Sequence, residues 1–106
     1  MKAIFNNQII AESDQTISFE GNTYFPKDSI IKKYFKKSEA SSVCDEKGVA
    51  HYYNVQVINK FRDEAAWCYT ETSDYAKEIE GYVAFWKGIR IVKEEEEYRL
   101  LSEINE

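Results

Sequence analysis

With 106 residues, 43% of them hydrophobic and 31% charged, the chain has the composition of one soluble globular domain rather than of a disordered or membrane-spanning protein. A formal charge of -5 argues against coating a phosphate backbone by bulk charge, so neither nucleic acid nor a membrane is an expected partner. Two isolated cysteines, Cys44 and Cys68, and a single histidine supply neither a disulfide framework nor a four-coordinate metal site, so reduced thiols, no metal and no cofactor are expected.

In chain order, Ala3 to Phe5 and Gln8 to Ala11 flank Asn6-Asn7, a pair that tolerates positive φ and predicts a first hairpin. No signal-peptide core follows Met1, and a cytoplasmic location is the expectation. Thr16 to Phe19 and Thr23 to Phe25 repeat the hairpin pattern around Glu20-Gly21-Asn22, and Pro26 ends the ladder because it has no N–H to donate. Asp28 as N-cap predicts a short helical segment near 28–36, with Ile30, Ile31, Tyr34 and Phe35 on one side and Lys32, Lys33, Lys36 and Lys37 around the other. Residues 27–37 carry five lysines against Asp28, a basic run that reads as a solvated helix face or as an anion-attracting patch.

Residues 50–58 alternate well enough to form the longest strand, with His51, Tyr53, Val55 and Val57 on a core face and Ala50, Tyr52, Asn54 and Gln56 on the other. Asn59-Lys60 turns the chain into a further strand near Ala65 to Tyr69, where Trp67 and Tyr69 share a face. A second short helix is predicted near 73–80, with Ser73 or Asp74 as cap and Gly81 as stop. Tyr82 to Trp86 and Ile89 to Lys93 flank Lys87-Gly88 and predict a last hairpin. Residues 3–93 thus form one domain, and 94–106 an acidic tail, possible as a helix through the spacing of Leu100, Leu101 and Ile104.

The string Val43-Cys44-Asp45-Glu46-Lys47-Gly48-Val49-Ala50-His51-Tyr52, followed by Ala65-Ala66-Trp67-Cys68-Tyr69 and by Ile79-Glu80-Gly81-Tyr82-Val83-Ala84-Phe85, resembles the small bacterial family called domain of unknown function 427. Ile10 to Asp14 and Tyr24-Phe25-Pro26 extend the resemblance, which covers residues 3 to 92. It implies a mainly β fold, a β-tent of two antiparallel sheets meeting at an angle, shared with zinc-bearing Mss4-like proteins and methionine sulfoxide reductase B. It implies no established activity. The zinc ligands of those relatives have no match in this chain, and Thr70 and Thr72 stand where the family usually has prolines. A nucleotidyltransferase name is sometimes attached to the family, yet the chain has no Gly-rich phosphate cradle, and carboxylates at alternating positions such as Glu94 and Glu96 lie in the tail.

Three function classes follow. The first is small-molecule binding in an aromatic pocket between the sheets, with Tyr52, Trp67 and Tyr69 as a wall and Cys44 and Lys47 on the entering turn. The second is a thiol-dependent enzyme, in which Lys47, three residues beyond Cys44, favours the thiolate; His51 fits a structural role better than that of a base for Cys44. The third is a protein-interaction module using the lysine-rich helix and the acidic tail, as a monomer or weak homodimer steered by opposite charges.

Overall fold

The computed structural model describes residues 1–93, and the acidic tail lies outside them. Among the described residues, nine strands run in the order β1 (Lys2–Phe5), β2 (Gln8–Glu12), β3 (Ile17–Phe19), β4 (Asn22–Tyr24), β5 (Phe35–Cys44), β6 (Gly48–Val57), β7 (Lys60–Thr72), β8 (Val83–Phe85) and β9 (Arg90–Val92). All ladders are antiparallel, and the fold is mainly β. Where the family resemblance implies two sheets, the ladders form three: β2-β1-β9, β3-β4 and β5-β6-β7-β8. The two-stranded one is not independent. Phe25, just past β4, exchanges backbone hydrogen bonds with Val83 of β8 at 2.7 and 2.8 Å, which pins the hairpin to the edge of the four-stranded sheet.

Local chemistry accounts for the first two turns. Asn6 and Asn7 both take positive φ, 51° and 63°, the geometry whose twist matches paired strands. In the second hairpin the turn is Glu20-Gly21, and Asn22 already belongs to β4.

Both predicted helical segments are present, as 3-10 turns rather than α-helix. The segment near 28–36 is two single 3-10 turns, Lys27–Ser29 and Lys32–Tyr34, after which Phe35, Lys36 and Lys37 pair with Val55, Asn54 and Tyr53 of β6. So short a helix, begun just after Pro26, recovers little of its nucleation cost, and the strand pairing prevails. The segment near 73–80 is a 3-10 stretch over Asp74–Ile79 that departs from helical geometry at Ala76. Ser73 does not cap it, because its hydroxyl donates to the Glu46 carbonyl across the neighbouring turn.

The predicted last hairpin is absent. Lys87 and Gly88 do take positive φ, 55° and 88°, as a hairpin turn would, but β8 pairs with β7 whereas β9 pairs with β1. The turn therefore carries the chain from one sheet to another.

His51 is exposed rather than core-facing. Along β6, Tyr53, Val55 and Val57 bury one face, while Ala50 and Tyr52 turn towards cover on the opposite face. The three-stranded sheet contributes Ala3, Phe5, Ile10 and Ala11 to a cluster with Val55 and Val57, and this cover ends before it reaches His51. A second cluster, built from Tyr24, Ala50, Tyr69, Ala76, Ile79 and Ala84, lies on the other face under the β3-β4 hairpin and the 3-10 stretch.

Candidate functional site

The second cluster is not closed. Between the β3-β4 hairpin and the four-stranded sheet lies a cavity of about 310 Å³ lined by Glu20, Asn22, Tyr24, Lys47, Tyr52, Trp67, Tyr69 and Trp86. Register explains the wall. Tyr52 of β6 stands opposite Trp67 of β7, so both project to one face, and Tyr69 follows on that face two residues along.

Lys47 reaches the cavity because its turn is pinned on both sides. Its N–H donates to the Cys44 carbonyl at 3.1 Å, and its carbonyl accepts from the Ser73 N–H at 3.1 Å. Gly48 closes the turn at φ 131°, where a Cβ would stand 2.5 Å from the Glu71 carbonyl oxygen, so a side chain there meets both strain and backbone. From this turn the Lys47 Nζ lies 2.6 Å from Glu20 Oε1, and only 15% of the lysine side chain is exposed. Tyr75 donates its hydroxyl to the second oxygen of Glu20 at 2.8 Å.

The electrostatics of the rim follow from these bonds. The Lys47 and Tyr75 hydrogen bonds hold the Glu20 carboxyl below its ordinary range. The bond to Glu20 raises the Lys47 ammonium above its own range, and the nearby Cys44 thiol adds a smaller contribution in the same direction. Burial pushes the phenols of Tyr24 and Tyr69 upwards, so both stay neutral donors at physiological pH.

The rings form a continuous path. Trp67 meets Tyr24 edge-on at 6.2 Å between centroids and Trp86 at 5.4 Å, while Trp86 and Tyr52 lie within 20° of parallel with centroids 6.4 Å apart. Trp67 Nε1 donates to the Tyr24 hydroxyl at 3.3 Å, and the Tyr52 hydroxyl shares a 2.8 Å hydrogen bond with Ser42. Among the described residues neither the Tyr69 hydroxyl nor the Asn22 side-chain amide makes a hydrogen bond, and neither is shut away from solvent; both residues line the cavity. Such a site has flat apolar faces for a ring and several polar groups for its edge.

Of the residues singled out from the sequence, Lys47, Tyr52, Trp67 and Tyr69 line this one cavity. Cys44 does not: half-buried, it packs on the aromatic cluster behind the lysine. Glu20, Asn22, Tyr24 and Trp86 were missed as site residues. No local pattern couples Glu20 to Lys47, 27 positions away; long-range contacts of the hairpin, foremost the pinning of Phe25 on Val83, bring their turns together.

Among the described residues no group of three or more His, Cys, Asp or Glu side chains is arranged to hold a metal ion. No helix among them is long and apolar enough to cross a membrane.

A model of the family described as domain of unknown function (DUF427) matches residues 1–98. No curated protein matches the chain.

Proposed function

The chain belongs to the domain of unknown function 427 family, and from that premise we propose that it binds a small, flat, ring-containing molecule in the aromatic cavity beside Lys47. The observation that carries this reading is the convergence on one opening of Lys47, Tyr52, Trp67 and Tyr69 with Tyr24 and Trp86 from the hairpin and the β8-β9 connection. A ring stacked on Trp86 or Tyr52 gains apolar contact, and its polar edge reaches the Tyr69 hydroxyl, the Asn22 amide and the Lys47-Glu20 pair. The volume stands at the lower end of small-molecule sites, which favours one or two fused rings over a larger body. Free thiols at Cys44 and Cys68 support a reducing, cytoplasmic setting.

The thiol-enzyme alternative is weaker. Cys44 does not line the cavity, and the Lys47 ammonium beside it is already paired with Glu20 at 2.6 Å.

The test is a melting-temperature screen of the protein against free nucleobases and aromatic carboxylates, repeated with Trp86→Ala and Lys47→Met. A true ligand at 100 times its Kd stabilises the fold by about 2.7 kcal/mol. That gain is expected to vanish in Trp86→Ala, because the ring loses its face, and to shrink in Lys47→Met. A ligand whose stabilisation survives both variants binds elsewhere and refutes the reading.

A further inference from the structure

We propose a second binding site, beside the aromatic cavity but with its own charged rim, for a small anion that carries an apolar or aromatic body. It is a trough rimmed by Lys27, Lys32 and Lys37 on the opposite face of the four-stranded sheet. Two adjoining depressions make it up, of about 210 and 250 Å³, which share Lys27, Lys37 and Tyr53. The first has an apolar floor of Ile30, Phe35 and Tyr53; the second adds the polar groups of Ser38, His51 and Thr70 together with Tyr52, the one residue it shares with the aromatic cavity.

Strand geometry builds it. Lys37 stands opposite Tyr53 in the β5-β6 ladder, and Phe35 opposite Val55, so the lysine continues the face that is core two residues earlier. The ladder then shifts register between Lys37 and Ser41, where Ser38 turns its hydroxyl to accept from the Ala40 N–H at 3.0 Å. The cover given by the three-stranded sheet ends before His51, and Lys27 enters over the gap from the 3-10 turn after Pro26.

Charge states what the trough fits. No carboxylate lines either depression, and among the described residues Lys27, Lys32 and Lys37 take part in no ion pair. Three ammonium groups around an apolar floor repel one another and gain from an anion placed between them, while the floor removes an attached ring from water. A phosphate or carboxylate on an aromatic or aliphatic ring satisfies both demands; a free inorganic anion satisfies only the first.

The molecule carries its own reporters. Its one histidine lines the trough and both its tryptophans line the aromatic cavity, so a proton NMR titration separates the two sites. The probe is 1-naphthyl phosphate, with 1-naphthol as the uncharged control, added to the full chain. The expected result is a saturable shift of the His51 imidazole signal with both indole N–H signals unmoved, and no such shift with naphthol. The double variant Lys27→Gln with Lys37→Gln is expected to weaken binding by about tenfold or more, since each keeps the stem but removes a charge-assisted contact. Raising salt to about 1 M, where screening extends over only ~3 Å, is expected to weaken it as well.

Wild-type indole positions certify that the double variant is folded; should they move, Lys27→Gln and Lys37→Gln singly carry the same expectation at smaller size. Three results overturn the proposal: no saturable His51 shift, an equal shift with naphthol, or unchanged affinity in the folded lysine variants. Movement of the indole signals alone assigns the probe to the aromatic cavity, which overturns the trough while leaving that cavity's reading intact.

Discussion

The two apolar clusters on either face of β6 and β7 are built from different chemistry. The first, with Ile10, Phe25, Val55, Val57, Cys68 and Val83 fully buried, has few polar tips and closes on itself except at its margin, where Ile30, Phe35 and Tyr53 floor the trough. The second relies on Tyr24, Tyr69, Tyr52 and Trp67 against alanines at 50, 76 and 84, and it opens into a cavity. Small residues behind large, flat and rigid ones leave space that rotamers cannot fill, and each phenol or indole must keep its polar tip bonded or wet. The centre of one face thus provides stability, and the centre of the other trades close packing for a place to bind.

The sharpest way to break this comparison is to truncate Phe25, which is 0% exposed and packs edge-on to Phe85 at 5.4 Å. Phe25→Ala is expected to cost about 3–5 kcal/mol. Trp86→Ala, at a ring 46% exposed on the open side, is expected to cost only a fraction of that. Urea denaturation midpoints of the two variants check the ordering; equal losses would show that the aromatic face is as structural as the closed one.

A smaller effect is expected where the lysine turn meets the sheet. Gly48→Ala puts a Cβ against the Glu71 carbonyl at positive φ, and we expect a loss of about 1–3 kcal/mol. Gly21→Ala is the companion, because its φ is also positive but nothing lies within 4 Å of the added Cβ. A greater drop in melting temperature for the first than for the second isolates the close approach from the backbone strain. Equal drops would show that strain alone is felt.

The smallest effect is the pH response, and it belongs to the open face. The Glu20 carboxyl sits below its ordinary value of 4.5, so the stability from its bonds to Lys47 and Tyr75 is present above that pH. It is lost as pH falls through the lower, folded-state value. On the alkaline side the phenols of Tyr24 and Tyr69 are raised from 10.0 by burial, so stability declines as pH rises past that ordinary value and the unfolded chain ionises first. Melting temperatures of wild type and Glu20→Gln between pH 3 and 7 are expected to converge at the acid end. A constant gap throughout would show that the pair contributes nothing beyond its geometry.

Much of this was legible in local chemistry. Asn6-Asn7 dictates a positive-φ turn wherever the chain ends up, and alternation from Ala50 to Val57 specifies a strand because the side-chain period of a strand is two. The same period sets Trp67 and Tyr69 on one face of their strand, and both line the cavity. Those are properties of a residue and its near neighbours. The tertiary structure decided the rest, through partners distant in sequence. Residues 28–36 satisfy a helical period as readily as the 3-10 turns they adopt, and the choice rests on β6 being available to pair with Phe35 to Lys37. His51 alternates with core residues yet is exposed, since burial depends on where the covering sheet ends. Lys87-Gly88 has hairpin geometry but joins two sheets, because β1 offers β9 a ladder that β8 does not. Glu20 meets Lys47 through long-range contacts such as the bonds between Phe25 and Val83, whose value appears once the loop between them has closed.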